Sequence, residues 1–251
     1  MSLGHPRFRG GACLALALTC PVSASAISFA GYEWQARDGT GGPGPNTFSA
    51  QNVSVDAEGH LHLRIVKRQG QWFCAEVFLD QRLAFGRYEF ELLGRPDQFD
   101  DNVVLGLFNY TVPDVGPDGT NEIDIEFATW SGAQSEHGNF TVWPAFVGPG
   151  PVSYAYDATL KGEQSLHRFD WGSGSVVFDS YDGWSADPGA RIGHFAYAPL
   201  SPLPTVPQQP IPVHMNLWLF QGNAPTDGQD VEIVVTGFRY VEAALFGDGY
   251  E

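Results

Sequence analysis

Alternation of apolar and polar residues is the feature that most restricts the fold of this chain. Segments 61–65, 88–92 and 231–235 each place apolar side chains at every second position, as half-buried strands do. About twelve such segments occur along the chain, and none has a convincing helical period. The pattern therefore predicts an all-β fold in which two antiparallel sheets form a sandwich.

The composition favours one domain with a large core. The chain has 251 residues, of which 43% are hydrophobic and 14% aromatic, and this length suits a single β-sandwich. Its 30 glycines and 18 prolines favour short strands joined by turns. The proline-rich segment 199–212 is predicted to be a loop, with strand-like sequence resuming at His214. We place the domain over residues 27–251.

The first 26 residues have the pattern of a secretory signal peptide. Arg7 and Arg9 form a basic start, residues 12–20 are an apolar run, and the small residues 24–26 resemble a cleavage site. We therefore expect a secreted protein, extracellular or periplasmic. We expect no membrane anchor, because no later segment approaches the roughly 20 apolar residues of a spanning helix. Loss of this leader would leave Cys74 as the single cysteine, without an internal disulfide.

The net charge excludes several classes of partner. Thirteen Lys and Arg against 29 Asp and Glu give a formal charge of −16, which makes nucleic acids and anionic membranes poor partners. Neither His137 nor His167 belongs to a zinc-like spacing, and isolated histidines in a β-sandwich are usually loop or core residues.

We expect a monomer that needs no cofactor.

The most informative segment is the acidic run at 121–127. Alternate side chains of a strand share a face, so Glu122, Asp124 and Glu126 should line one side and the apolar residues between them the other. A solvated acidic face or a calcium site would account for three carboxylates. The chemical alternative is glycoside hydrolysis, which needs one ionised and one protonated carboxyl group.

Spacing along the strand does not distinguish the two forms of this chemistry. Glu122 and Glu126 are about 13 Å apart on a flat strand, at roughly 3.3 Å per residue. Retaining enzymes need about 5 to 5.5 Å between the carboxyl groups, and inverting enzymes about 6.5 to 9.5 Å. The curvature of the strand and the directions of the two side chains would determine the distance between the carboxyl groups.

Several other strand-like segments place polar and aromatic side chains opposite their apolar ones. Pyranose rings stack on aromatic side chains and bind amides and carboxylates through their hydroxyls. The side chains that share such a face are Glu76, Phe108, Tyr110, Asn139, Trp143, Asn216 and Trp218. Together they predict a sugar-binding surface.

With these segments in place, the mature chain resembles family 16 glycoside hydrolases over nearly its whole length. The residues that carry the resemblance are segments 42–46, 74–76, 85–88, 122–127, 169–171 and 215–218. The resemblance implies a β-jelly-roll, concanavalin-like, with an open substrate cleft on its concave face. No His or Cys spacing in the sequence predicts a transition-metal site. A structural calcium ion occurs in this family, and its position here is not evident.

The resemblance also implies roles for individual residues. Glu122 is expected to be the nucleophile, Asp124 an assisting acid, and Glu126 the general acid and then base of a retaining reaction. Substrate contacts are expected from the seven residues above and from Asn52. The segment 127–130 differs from the short glycine turn of lichenases. Its Trp130 is expected either to add a stacking platform at the cleft edge or to pack at the rim.

Two positions depart from the lichenase pattern. Phe78 stands where lichenases often have an arginine, and Thr120 stands where an aromatic residue often precedes the acidic run. These departures weaken the case for a mixed-linkage glucan. The charge of −16 disfavours sulfated or uronate polymers, so a neutral β-glucan or galactan is favoured.

The sequence thus predicts a secreted, retaining endo-β-glycanase that hydrolyses a neutral polysaccharide. A transglycosylase would use the same strand, with a sugar hydroxyl in place of water. A carbohydrate-binding jelly roll without turnover is the third hypothesis, and it has no need for three alternating acids.

Overall fold

The computed structural model describes residues 26–243, which contain eighteen β-strands, four short 3-10 helices and no α-helix. The predicted leader lies outside these residues except for Ala26. The strands are β1 (Ala26–Phe29), β2 (Tyr32–Ala36), β3 (Gly39–Gly41), β4 (Asn46–Phe48), β5 (Val53–Val55), β6 (Leu61–Arg68), β7 (Gln71–Phe73), β8 (Ala75–Leu83), β9 (Gly86–Leu93), β10 (Val103–Asn109), β11 (Glu122–Phe127), β12 (Gly138–Trp143), β13 (Val152–Tyr156), β14 (Gln164–Trp171), β15 (Val176–Asp182), β16 (Arg191–Tyr197), β17 (Ile211–Leu219) and β18 (Val231–Glu242). The 3-10 helices are Ala50–Asn52, Pro96–Gln98, Pro188–Ala190 and Phe220–Gly222.

Two large antiparallel sheets form the molecule, which confirms the predicted sandwich. The sheet that we call the cleft sheet has the order β1-β2-β8-β17-β10-β11-β12-β13, and the outer sheet has the order β16-β15-β14-β9-β18-β6-β5. Strand β7 pairs with β6, and β3 and β4 form a separate hairpin. More strands are present than the roughly twelve predicted, because several are only three residues long and too short to show alternation.

One hydrophobic core lies between the sheets. Leu61, Leu63 and Ile65 of β6 are fully buried, as the alternation predicted, and Tyr88 of the outer sheet stacks on Phe169 with ring centroids 4.6 Å apart. Each fully buried side chain of this size stabilises the fold by roughly 1.5 to 3 kcal/mol relative to an exposed one. The core therefore fixes which face of every strand points outward.

Two strand boundaries differ from the sequence prediction. The strand predicted over 231–235 is longer in the structure, because β18 continues through Gly237 to Glu242 with a register shift between Val235 and Gly237. The strand expected to resume at His214 begins at Ile211 and includes Pro212. Both residues lie at register shifts, where a missing side chain or a missing N–H is tolerated.

Candidate active site

Strand β11 places the three predicted acids in a cavity on the outward face of the cleft sheet. Glu122, Asp124 and Glu126 line this cavity, which has a volume of about 860 Å³ and which we call the cleft. The intervening side chains are fully buried in the core; they are Ile123, Ile125 and Phe127. The strand alternation thus separates the acids from the apolar residues as predicted.

Asn121 sets the point at which β11 begins. Its backbone has φ of +54°, in the left-handed region that asparagine adopts more readily than most residues. Its side-chain Nδ2 donates to the carbonyl oxygen of Ala145 at 3.0 Å and to Thr120 Oγ1 at 3.1 Å. These contacts fix the phase of the strand, so that Glu122 and not Ile123 faces the cleft.

The strands beside β11 complete the surroundings of the acids. In β10, Gly106 is paired with Glu126. Because it has no side chain, it leaves space for the amide of Asn216: an added Cβ would lie only 2.5 Å from Asn216 Oδ1. That oxygen of Asn216 is buried and has no hydrogen-bond partner among the described residues. In β12, Trp143 is paired with Glu122, and its Nε1 donates to Asp124 Oδ2 at 3.0 Å.

Burial changes the acidity of all three carboxyl groups. It raises the pKa of Glu126 to about 7. Burial and the charges of Glu126 and Asp118 raise the pKa of Glu122 to about 8, against a hydrogen bond from Asp124 that favours the ionised form. The pKa of Asp124 is raised well above its ordinary value by burial and by the charges of both glutamates. Near neutral pH, protonated and ionised groups therefore lie side by side.

A hydrogen bond between Asp124 and Glu122 shifts the pKa values of both groups. Their hydrogen bond raises the pKa of Asp124 and lowers that of Glu122, as expected when Asp124 donates and Glu122 accepts. The pKa values of Glu122 and Glu126 are too close to rank these two glutamates. Which one attacks and which one protonates is therefore implied only by the resemblance.

Aromatic side chains line much of the cleft. The predicted aromatic residues that line it are Phe108, Tyr110, Trp130, Trp143 and Trp218. Burial and a hydrogen bond to Asp118, 2.6 Å from the hydroxyl, raise the pKa of Tyr110 above its ordinary value. These flat faces suit the CH surfaces of sugar rings.

Trp130 reaches the cleft from an unusual backbone conformation. Trp130 and Ser131 have φ of +56° and +60°, an uncommon conformation for a bulky residue. The loop is held there because the backbone N–H of Ser131 donates to the Asp101 carbonyl at 2.8 Å. The Trp130 ring meets Phe220 edge to face, with centroids 5.4 Å apart, and it also lines the cleft. Trp130 thus packs at the rim of the cleft, and its role as a stacking platform stays a prediction.

Glu76 lies in the cleft between the side chains of Arg37 and His214. Its Oε2 accepts a hydrogen bond from Arg37 at 2.7 Å, and its Oε1 lies 2.9 Å from His214 Nδ1. Burial opposes ionisation of Glu76, but the hydrogen bonds from His214 and Arg37 and the positive charge of Arg37 outweigh it and hold the pKa below its ordinary value. Glu76 is therefore a carboxylate.

Two of the predicted substrate contacts are wrong in position. Asn52 is fully buried outside the cleft lining, and its Nδ2 donates to the carbonyls of Arg64 at 3.0 Å and Phe73 at 2.6 Å. Asn139 also lies outside the lining: its Nδ2 donates to the Ala128 carbonyl at 3.1 Å, and its Oδ1 accepts from Gln134 at 2.8 Å. Both amides hold backbone in place instead of facing a ligand.

The cleft also contains residues that the sequence interpretation missed. Arg37, Asp118 and His214 line it, and Phe78, noted only as a departure from the lichenase pattern, does too. His214 alternates with the predicted Asn216 and could have been found by the same periodicity. Arg37 and Asp118 lie outside the strands, where no periodicity applies.

Neither histidine considered from the sequence contributes to the cleft. His167 is buried in the core, where burial lowers its pKa to about 3 and where Ser165 and Ser180 each lie 2.8 Å from a ring nitrogen. His137 is outside the cleft lining. Within residues 26–243, no group of three or more His, Cys, Asp or Glu side chains is arranged to hold a metal ion. No helix in that range could span a membrane. The structural calcium ion stays a prediction.

Comparisons with known proteins identify the fold. The sequence matches no family model, and no curated protein is a significant match. Among solved structures, a β-glucanase from Bacillus licheniformis is 24% identical with a TM-score of 0.59, over 83% of this chain and 92% of that one. A laminarinase from a Flavobacterium species is 14% identical with a TM-score of 0.63, over 83% and 93%.

A third structure carries the family name. It is a glycoside hydrolase family 16 endo-glucanase from Bacteroides ovatus, 13% identical with a TM-score of 0.61 over 83% of this chain and 94% of that one. Identities this low establish the fold and not the activity. The chain therefore has the two-sheet jelly-roll fold of the family 16 glycoside hydrolases.

Proposed function

We propose that this chain is a glycoside hydrolase that cleaves internal bonds of a neutral β-glucan with retention of configuration. The observation that carries the proposal is the trio Glu122, Asp124 and Glu126, whose raised pKa values place both protonation states near neutral pH at the floor of an open cleft. Structures of the same fold named β-glucanase, laminarinase and endo-glucanase support the substrate class.

The reaction takes two steps. In the first, the Glu122 carboxylate attacks the anomeric carbon while Glu126 gives its proton to the glycosidic oxygen, so that the bond to the leaving sugar breaks and a glycosyl ester forms. In the second, the Glu126 carboxylate takes a proton from water, the water oxygen bonds to the anomeric carbon, and the ester to Glu122 breaks. Both glutamates return to their starting states.

Asp124 would hold Glu122 ready for attack. Its hydrogen bond with Glu122 favours the ionised form of Glu122, and Trp143 Nε1 donates to its Oδ2 at 3.0 Å. Such a group orients the nucleophile and keeps it ionised until the sugar binds, and it then stabilises the carboxylate again when the ester breaks.

Replacement of Glu122 by glutamine tests the proposal. Because glutamine keeps the shape but cannot form the ester, Glu122→Gln should lower kcat on β-1,3-glucan or mixed-linkage β-1,3-1,4-glucan by at least about 10⁴-fold. The protein should remain folded, with an unchanged thermal transition. Glu58→Gln, on an exposed turn, serves as the matched control.

Product analysis completes this experiment. New reducing ends that first appear as the β-anomer support a retaining hydrolase, whereas α-anomers would contradict retention. Lengthened oligosaccharides without new reducing ends would instead identify a transglycosylase. Glucan binding without any product, or full activity in Glu122→Gln, would rule out the proposed reaction. Secretion stays a prediction from the leader-like residues 1–26.

A further inference from the structure

The carboxylate of Glu76 has little capacity left for a ligand. The residue is 5% exposed, one oxygen accepts from Arg37, and the other is bonded to His214. The sequence interpretation made Glu76 itself a substrate contact. Its burial and its two hydrogen-bond partners instead leave the neighbouring side chains as the surface that a sugar would meet.

Arg37 is committed to holding the wall of the cleft. Besides Glu76, its guanidinium donates to the Gly42 carbonyl at 2.8 Å and lies 4.1 Å from the centre of the Phe48 ring. Gly42 and Pro43 line the cleft at this point. Arg37 therefore joins Glu76 to the loop after β3, and it neutralises charge that would otherwise be costly to bury.

His214 is the polar group that faces the cleft here. Its ring lies between Phe78, stacked at 5.4 Å, and Phe108 at 5.1 Å, so it has little freedom to rotate. Because a carboxylate can only accept, Nδ1 must carry the hydrogen of the bond to Glu76. In the neutral ring this leaves Nε2 with a lone pair, and no described residue bonds to that nitrogen.

We propose that His214 Nε2 is a hydrogen-bonding contact with the substrate on the part of the cleft formed by β8 and β17. Glu76 is its positioning residue. A sugar hydroxyl would donate to Nε2, while the flanking rings of Phe78 and Phe108 restrict where that hydroxyl can lie. Glu76 selects the tautomer in which Nε2 accepts. This inference rests on the proposed glycan-cleaving function and names a specificity-determining residue for it.

Two substitutions of His214 separate the alternatives. An asparagine amide can replace Nδ1 and keep the bond to Glu76, but it cannot reach the position of Nε2, whereas a glutamine amide can approach that position. In a Glu122→Gln background, binding of laminarihexaose and of a mixed-linkage β-1,3-1,4-glucan hexasaccharide is measured by titration calorimetry. His214→Asn should weaken binding of the preferred hexasaccharide by about tenfold, as the loss of one hydrogen bond does, and His214→Gln by less.

A double variant tests the positioning role. If Glu76 acts through His214, adding Glu76→Gln to His214→Asn should cause no further loss of affinity. The outer sheet offers a matched control, since Glu232 is also bonded to a histidine, His62, and to an arginine, Arg64, each at 2.7 Å. His62→Asn should leave affinity unchanged.

The outcomes distinguish this inference from the proposed function. Unchanged affinity in His214→Asn, with a loss in Glu76→Gln alone, would show that Glu76 binds the sugar directly and would overturn the inference while the function stands. Failure of the Glu122→Gln parent to bind either hexasaccharide, together with no cleavage by the wild-type protein, would overturn both.

Discussion

At the scale of single residues, burial determines what the three acids can do. Burial alone raises the pKa of Glu126, and burial together with neighbouring carboxylates raises the pKa values of Glu122 and Asp124. An isolated acidic strand in solvent would show no such shifts. The solvated acidic face considered from the sequence therefore does not describe β11.

The pH dependence of activity follows from these shifts. Glu126 must be protonated to act as an acid, so activity falls as pH rises through the upper pKa of the pair, and Glu122 must be ionised, so activity falls as pH decreases through the lower one. With values of about 7 and 8 shared by two coupled glutamates, we expect a bell-shaped profile of kcat/KM near neutral pH. The measurement is kcat/KM from pH 4 to 10, and an acid limb below pH 5 would contradict the raised pKa values.

Strand periodicity correctly predicted cleft residues only at positions that lie in regular strands. It correctly assigned Asn216 and Trp218 to the face of the acids, because β17 is regular there. Asn52 was implied only by the family resemblance, and it lies in a 3-10 helix where strand alternation does not apply. Asn139 does face the correct side of β12, but a loop covers it, and no local pattern reports how a loop folds back.

At the scale of elements, β10 is the strand that joins the acidic strand β11 to β17. It lies between β11 and β17 and pairs Gly106 with both Glu126 and Asn216. A side chain at this position would occupy the floor of the cleft between the acid and the amide. The glycine is therefore explained by space, since its φ is not in the left-handed region.

Gly106→Ala should reduce activity without unfolding the protein. The new methyl group would lie 2.5 Å from Asn216 Oδ1 and 3.3 Å from Phe108 Cδ1, so that the amide must move away from its place in the cleft. A displacement of about 1 Å in such a site lowers kcat/KM by up to about 100-fold. Steady-state kinetics and a thermal melt would be compared with Gly162→Ala, where nothing lies within 4 Å of the added Cβ. Unchanged kcat/KM in folded Gly106→Ala would show that this space is not needed.

At the scale of the whole molecule, the sandwich was predictable and its outer surface was not. Alternation and composition determine two sheets around one core, but cross-strand partners depend on the order of strands, which alternation does not encode. The outer sheet carries a row of alternating basic and acidic side chains across five strands: Arg239, Glu89, Arg168, Asp179 and His194. These residues are far apart in sequence and become neighbours only through the topology.

A substitution of Asp179 tests whether this row of side chains stabilises the fold. Burial opposes its ionisation, but hydrogen bonds from His194 at 2.9 Å and Arg168 at 2.9 Å hold its pKa below the ordinary value. A folded-state pKa below the unfolded one stabilises the fold above the unfolded pKa, and this contribution is lost as pH falls through the folded pKa. Asp179→Asn should therefore lower the free energy of unfolding at pH 7 by about 1 to 2 kcal/mol, since the partners are partly exposed.

The difference between wild type and Asp179→Asn should shrink as pH falls below the ordinary aspartate value of 3.8, because the wild-type carboxyl then becomes protonated and loses its advantage over the amide. Urea denaturation at pH 7, 5 and 3 measures this, with Glu33→Gln on an exposed strand position as the control. A difference that stays constant over this range would mean that Asp179 stabilises the outer sheet through shape and not through charge. The row would then be a consequence of the strand order and not one of the interactions that hold the strands together.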